Sequence, residues 1–83
     1  MLLPMGQLAE LIKAKRYDLR LSQKAFGDRL GLQNGSSYIS RIEKGLIVPS
    51  RVRLHEMEQA FSFFPGELED AAFSDEQARN KAG

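Results

Sequence analysis

Gln33, Asn34, Ser36, Ser37, Ser40, Arg41 and Lys44 bring amides, hydroxyls and positive charge together within residues 33–44. These groups suit hydrogen bonding to base edges and phosphates. Arginine can pair bidentately with guanine, side-chain amides suit adenine, and serine can donate or accept with less discrimination. Lys44, Lys24, Arg51 and Arg53 are better suited to phosphates, which hold register without reading sequence. Other chemistry lacks its residues. The chain has no Cys and one His, His55, which excludes a thiolate site, a His cluster and a His-based triad within it. Glu67, Glu69 and Asp70 have no metal-ligand spacing with partners and read as a solvated helix face. No nucleophile–base pair and no Gly-rich phosphate loop is present, so the expectation is a non-enzyme with no cofactor and no metal.

Helices must position these groups, because apolar residues recur at helical spacing and strand signals are weak. Leu8, Leu11 and Ile12 make a stripe on a first helix over about residues 5–18. Ser22 can cap a short second helix, which carries Phe26 and Leu30 on one face and ends at Gly31. "QNGSS" at 33–37 predicts a turn and a further N-cap. The third helix then buries Ile39 and Ile42 and stops at Gly45. At about 100° per residue, that phase turns Ser37, Arg41 and Lys44 outward, flanked by Ser40 and Asn34. Tyr38 borders the buried side and is expected to pack.

Ser50 caps a fourth helix bearing Leu54, Met57 and Phe61. Pro65 suits the first turn of a fifth, with Leu68 and Ala72 facing inward. From Ser74 onward no apolar stripe remains, so residues 74–83 are expected to form a polar, disordered tail beyond a domain at 1–73. The expected fold is all-α, a compact bundle of about five short helices. The second and third, joined by a tight turn, have the helix-turn-helix arrangement, whose second member enters the DNA major groove.

At 83 residues the chain is one small domain, with a formal net charge of +1. That balance is segregated. Residues 13–53 hold ten bases against Asp18, Asp28 and Glu43, and residues 54–83 hold seven acids against Arg79 and Lys81. Charge alone favours solvated helix faces, with a nucleic-acid footprint as the alternative. No apolar run approaches a membrane span, and "MLLPMGQL" lacks the pattern of a secretion signal, so the expected compartment is the cytoplasm.

Residues 8–68 resemble the Xre/Cro/C1 family of bacterial and phage helix-turn-helix regulators. "LSQKAFGDRLGL", "ISRIEKG" and "PS" carry the likeness. The resemblance implies a lambda-repressor-like fold. It implies that Gln23 contacts a phosphate and braces the recognition helix. It implies that Gly27 sits where the second and third helices approach closely, and that Phe26, Leu30, Leu32, Ile39 and Ile42 are core. Ser36, Ser37 and Arg41 align with family positions that reach base edges. Arg16 and Glu43 match a pair that lambdoid phage repressors bury as a salt bridge, and are structural on that reading.

The chain departs from the family in several places. Six residues, "QNGSSY", stand where the family has four, so the turn or the start of the recognition helix is longer. Arg20 replaces the usual glycine and is assigned a phosphate contact. Leu46, Ile47 and Val48 fill a loop often polar or basic in relatives. Two of them are expected to fold back on the core, the alternative being contact with a partner. Phe63 matches an apolar family position. Phe64 replaces a polar cap, which makes it a partner-contact candidate.

The function expected from these readings is a sequence-specific transcriptional regulator, a repressor or autoregulator. It would bind an inverted-repeat operator in double-stranded DNA as a homodimer, with the helix around 36–44 in the major groove. Its dimer contact is expected around Val48, Phe64, Leu68 and Phe73. The alternative is an antitoxin that represses its own operon and holds a basic protein toxin through segment 61–73. A restriction–modification controller is a close variant of the first reading. A degenerate helix-turn-helix that binds only protein is disfavoured by the polar Gln23, Arg41 and Lys44.

Overall fold

The computed structural model describes residues 6–82, with side chains through Arg79. Five helices follow one another: α1 (Gln7–Asp18), α2 (Gln23–Arg29), α3 (Gly35–Glu43), α4 (Arg51–Ala60) and α5 (Glu67–Ala82). No strand occurs among the described residues. The protein is therefore an all-α bundle, as its apolar spacing predicts.

Local chemistry sets most boundaries. The Ser22 hydroxyl accepts from the Ala25 N–H at 3.0 Å and opens α2. The Ser50 hydroxyl accepts from the Arg53 N–H at 3.2 Å and opens α4. Gly31 and Gly45, at φ of 75° and 74°, turn the chain after α2 and α3 through a left-handed conformation that disfavours a side chain. The helices enclose one core. Leu8 and Ile12 of α1, Phe26 of α2, and Ile39 and Ile42 of α3 meet Leu54, Met57, Phe61, Phe63, Leu68 and Ala71. The rings of Phe26 and Phe61 stack with centroids 3.8 Å apart, tying α2 to the end of α4.

Several sequence expectations are corrected. Residues 74–82 are not a disordered tail, because α5 continues to Ala82. The continuation has a tertiary purpose. Asp75 accepts from the N–H groups of Gln7 at 2.7 Å and Leu8 at 3.0 Å, and so caps α1 from 68 positions downstream. Helix α1 starts at Gln7 rather than near 5, and residues 1–5 lie outside the described residues. Pro65 precedes α5 instead of opening it. On α5, Ala71 is buried in the core, and the half-buried Ala72 packs against it as expected. Of the apolar loop, Ile47 alone packs on the core, whereas Leu46 and Val48 are exposed. Leu68 is completely buried and is core, not a dimer contact.

No described helix is long and apolar enough to cross a membrane.

Candidate nucleic-acid interface

The α2–α3 unit is held unusually close. Gly27 of α2 and Gly35, the first residue of α3, are both buried and lie backbone to backbone. A Cβ on Gly35 would lie 2.6 Å from the Gly27 Cα and 2.9 Å from its carbonyl carbon. The six-residue insertion region divides at this point. Gln33 and Asn34 remain in the turn, and Gly35 to Tyr38 add to the helix. Asn34 is the N-cap residue but makes no side-chain cap bond. The hydroxyls of Ser36 and Ser37 therefore stand inside the first turn of α3, on exposed side chains.

A buried ion pair fixes the other end of α3. Arg16 Nε donates to Glu43 Oε2 at 2.6 Å, and Arg16 Nη2 donates to Glu43 Oε1 at 3.0 Å. Arg16 Nη1 also donates to the Leu21 carbonyl at 3.1 Å, which fastens the α1–α2 turn. Gln23 Nε2 donates to Glu43 Oε1 at 3.2 Å, so the first residue of α2 braces the last residue of α3. The hydrogen bond to Glu43 holds the Arg16 guanidinium pKa above its ordinary value despite the cost of burial.

On this frame α3 presents a polar groove of about 620 Å³. Gln33, Asn34, Ser36, Ser37 and Arg41, the expected base-contact residues, all line it. Of the expected phosphate contacts, Gln23, Lys24, Ser40 and Lys44 line it as well. Arg41 and Lys44 are exposed and form no ion pair among the described residues. Tyr38 packs against the core, as its phase predicts.

The remaining bases lie elsewhere or are already paired. Arg51 Nε pairs with Glu69 at 2.9 Å, and Arg53 pairs with Glu56 at 3.2 Å, both outside the groove. Each of these two expected phosphate contacts thus lies apart from the α3 groove and has an acid partner in a solvent-exposed pair. Lys24 is inside the groove but pairs with Asp28 at 2.9 Å, which raises its ammonium pKa. Arg20 is exposed and does not line the groove. It holds a φ of 57° where the resembling family has glycine.

The expected partner contacts separate. Val48 and the 61%-exposed Phe73 line one groove between the α3–α4 loop and α5, with Glu69, Asp70, Asp75, Glu76, Arg51 and Arg79 around them. Phe64 is 80% exposed at the α4–α5 turn and lines none of this groove, and its N–H donates to Glu67 Oε1 at 3.0 Å.

Sequence reasoning missed Glu58. It is buried on α4, and its carboxylate accepts from the N–H groups of Gly66 and Leu68 at 2.9 Å each and Glu69 at 3.4 Å. His55 Nδ1 lies 3.1 Å from it. Burial raises the Glu58 pKa, but the backbone donors prevail and hold it below the ordinary value. Helical phase carried the signal, because Leu54, Met57, Glu58 and Phe61 follow i, i+3, i+4, i+7. No described group of three or more His, Cys, Asp or Glu side chains could hold a metal ion.

No protein-family model, curated protein or solved structure matches this chain.

Proposed function

We propose that this chain is a non-enzymatic, sequence-specific transcriptional regulator that binds double-stranded DNA, as a repressor or autoregulator in the cytoplasm of a bacterium or in a phage-infected cell. Helix α3 enters the major groove, whose width of about 12 Å admits one helix. Gln33, Asn34, Ser36, Ser37 and Arg41 face base edges, and Gln23, Ser40 and Lys44 hold the flanking phosphates. The observation that carries this reading is the gathering of these eight side chains along one exposed groove of α2 and α3. The resemblance of residues 8–68 to Xre/Cro/C1 regulators, with a lambda-repressor-like fold, supports it.

One helix reads few base pairs, so the protein binds as a homodimer on an inverted repeat with half-site centres about 34 Å apart or a multiple of that. Selection of bound sequences from a random DNA pool tests the reading. It yields an inverted repeat for the wild type. Arg41→Glu abolishes binding while leaving the circular dichroism spectrum intact. Failure to enrich any sequence, or full affinity in Arg41→Glu, refutes it.

The groove of Val48 and Phe73 supports a second reading, an antitoxin that holds a basic protein toxin and represses its own operon. Its lining holds four acids, Glu69, Asp70, Asp75 and Glu76, against Arg51 and Arg79, and that acidic excess favours a basic partner. Co-purification from the native host separates a toxin complex from a homodimer.

A further inference from the structure

A second concave site adjoins the α3 groove and shares Gln23, Ser40 and Lys44 with it. Its volume is about 420 Å³, and its far wall is Lys13 and Tyr17 of α1. The floor is the Arg16–Glu43 pair, whose charges cancel. The site's net charge therefore comes from Lys13 and Lys44. Neither forms an ion pair among the described residues, whereas Lys24, Arg51 and Arg53 are all paired with acids. Tyr17 is exposed and rests beside Arg16, with the guanidinium carbon 4.7 Å from the ring centroid. That contact restrains the ring at the edge of the site. Gln23 spends one amide hydrogen on Glu43 and has a second available.

We propose that Lys13 and Tyr17 of α1 form, with Lys44, a binding site for a backbone phosphate of the DNA strand lying beside α3. The inference rests on the reading of α3 as the major-groove helix. Two uncancelled ammonium groups, a phenol and an amide N–H converge on one concavity, which is the donor set a phosphodiester requires. The neutralised floor matters, because an unpaired Glu43 carboxylate there would repel the same phosphate. The site extends the footprint from the α2–α3 unit onto α1. It sets the angle at which α3 enters the groove without reading sequence.

The test measures affinity for the selected operator as a function of salt in the full chain. Lys13→Met weakens binding about five- to tenfold per half-site at 0.1 M salt and lowers the slope of log K against log salt by about 1.8, because the homodimer loses one phosphate contact in each half-site. Lys13→Arg restores both. Tyr17→Phe weakens binding about threefold with an unchanged slope, since it removes a hydrogen bond and no charge. Lys15→Met is the control. It removes the same charge from α1, but its ammonium lies 4.7 Å over the Phe63 ring, away from this site. It changes affinity by less than twofold. Sequences selected by Lys13→Met are those selected by the wild type. If wild type binds tightly and Lys13→Met matches Lys15→Met, the site is refuted and the α3 reading stands. A changed sequence preference in Lys13→Met also refutes it. If the wild type selects no DNA, both readings fall together.

Discussion

Replacing Gly35 with alanine adds one methyl group at the closest approach of α2 and α3. By helix propensity alone the change stabilises, by up to about 1 kcal/mol. The packing opposes it. The new Cβ would sit 2.6 Å from the Gly27 Cα and 2.9 Å from its carbonyl carbon. Ordinary carbon contacts lie at about 3.5–4.0 Å, so the two helices must separate by about 1 Å. Neither contact is with a flexible side chain that could swing away. Overpacking of this kind costs about 1–3 kcal/mol, and more where backbone meets backbone. The net expectation is destabilisation of about 1–2 kcal/mol, read as a fall in Tm of about 4–15 °C for a domain of this size. Thermal unfolding followed by circular dichroism measures it. Gly27→Ala meets the Gly35 backbone from the other side and should behave alike. A Tm equal to or above wild type in Gly35→Ala would refute the close-packed arrangement of α2 and α3, because propensity would then be acting without a clash.

Three further outcomes follow from the buried polar groups and the backbone. Arg16→Met leaves the Glu43 carboxylate buried without its partner and should cost about 3–5 kcal/mol in denaturant unfolding, with the Arg16→Met/Glu43→Leu double variant recovering much of it. Glu58 has a depressed folded-state pKa, so the stability it contributes is complete above its ordinary value of 4.5 and disappears as pH falls through the lower folded-state value. Glu58→Gln should therefore lower Tm at pH 7, and the gap from wild type should close on acidification through that range; a constant gap would contradict the sign. Arg20→Gly should raise stability by about 1 kcal/mol in urea unfolding, because the residue occupies a φ of 57°.

Helix number, the capping serines and the inward phase of Ile39 and Ile42 were legible in the sequence because each is a local signal. The exposed face of α3 followed from the same phase. Long-range polar contacts were not legible. Asp75 lies in a stretch with no apolar stripe, and nothing local shows that its carboxylate caps a helix 68 positions earlier. Glu58 was overlooked because residue type outweighed phase. Leu68 was misplaced for a related reason, since an apolar residue on an acidic helix serves a core or a partner equally well until neighbouring helices are in place. The ion pair of Arg51 with Glu69 likewise depends on α4 and α5 adjoining, whereas the i, i+3 spacing of Arg53 and Glu56 within α4 was open to a local reading.

The Asp75 cap also orders events in time. Helix α1 is synthesised before α5, yet the two leading amides of α1 receive their acceptor only when the third turn of α5 has been made. Helices α2 and α3 meet within residues 23–43 and can pair early. Closure of the bundle waits for α5. The α2–α3 unit can thus pair before the frame that holds it is finished, and α5 then completes α1.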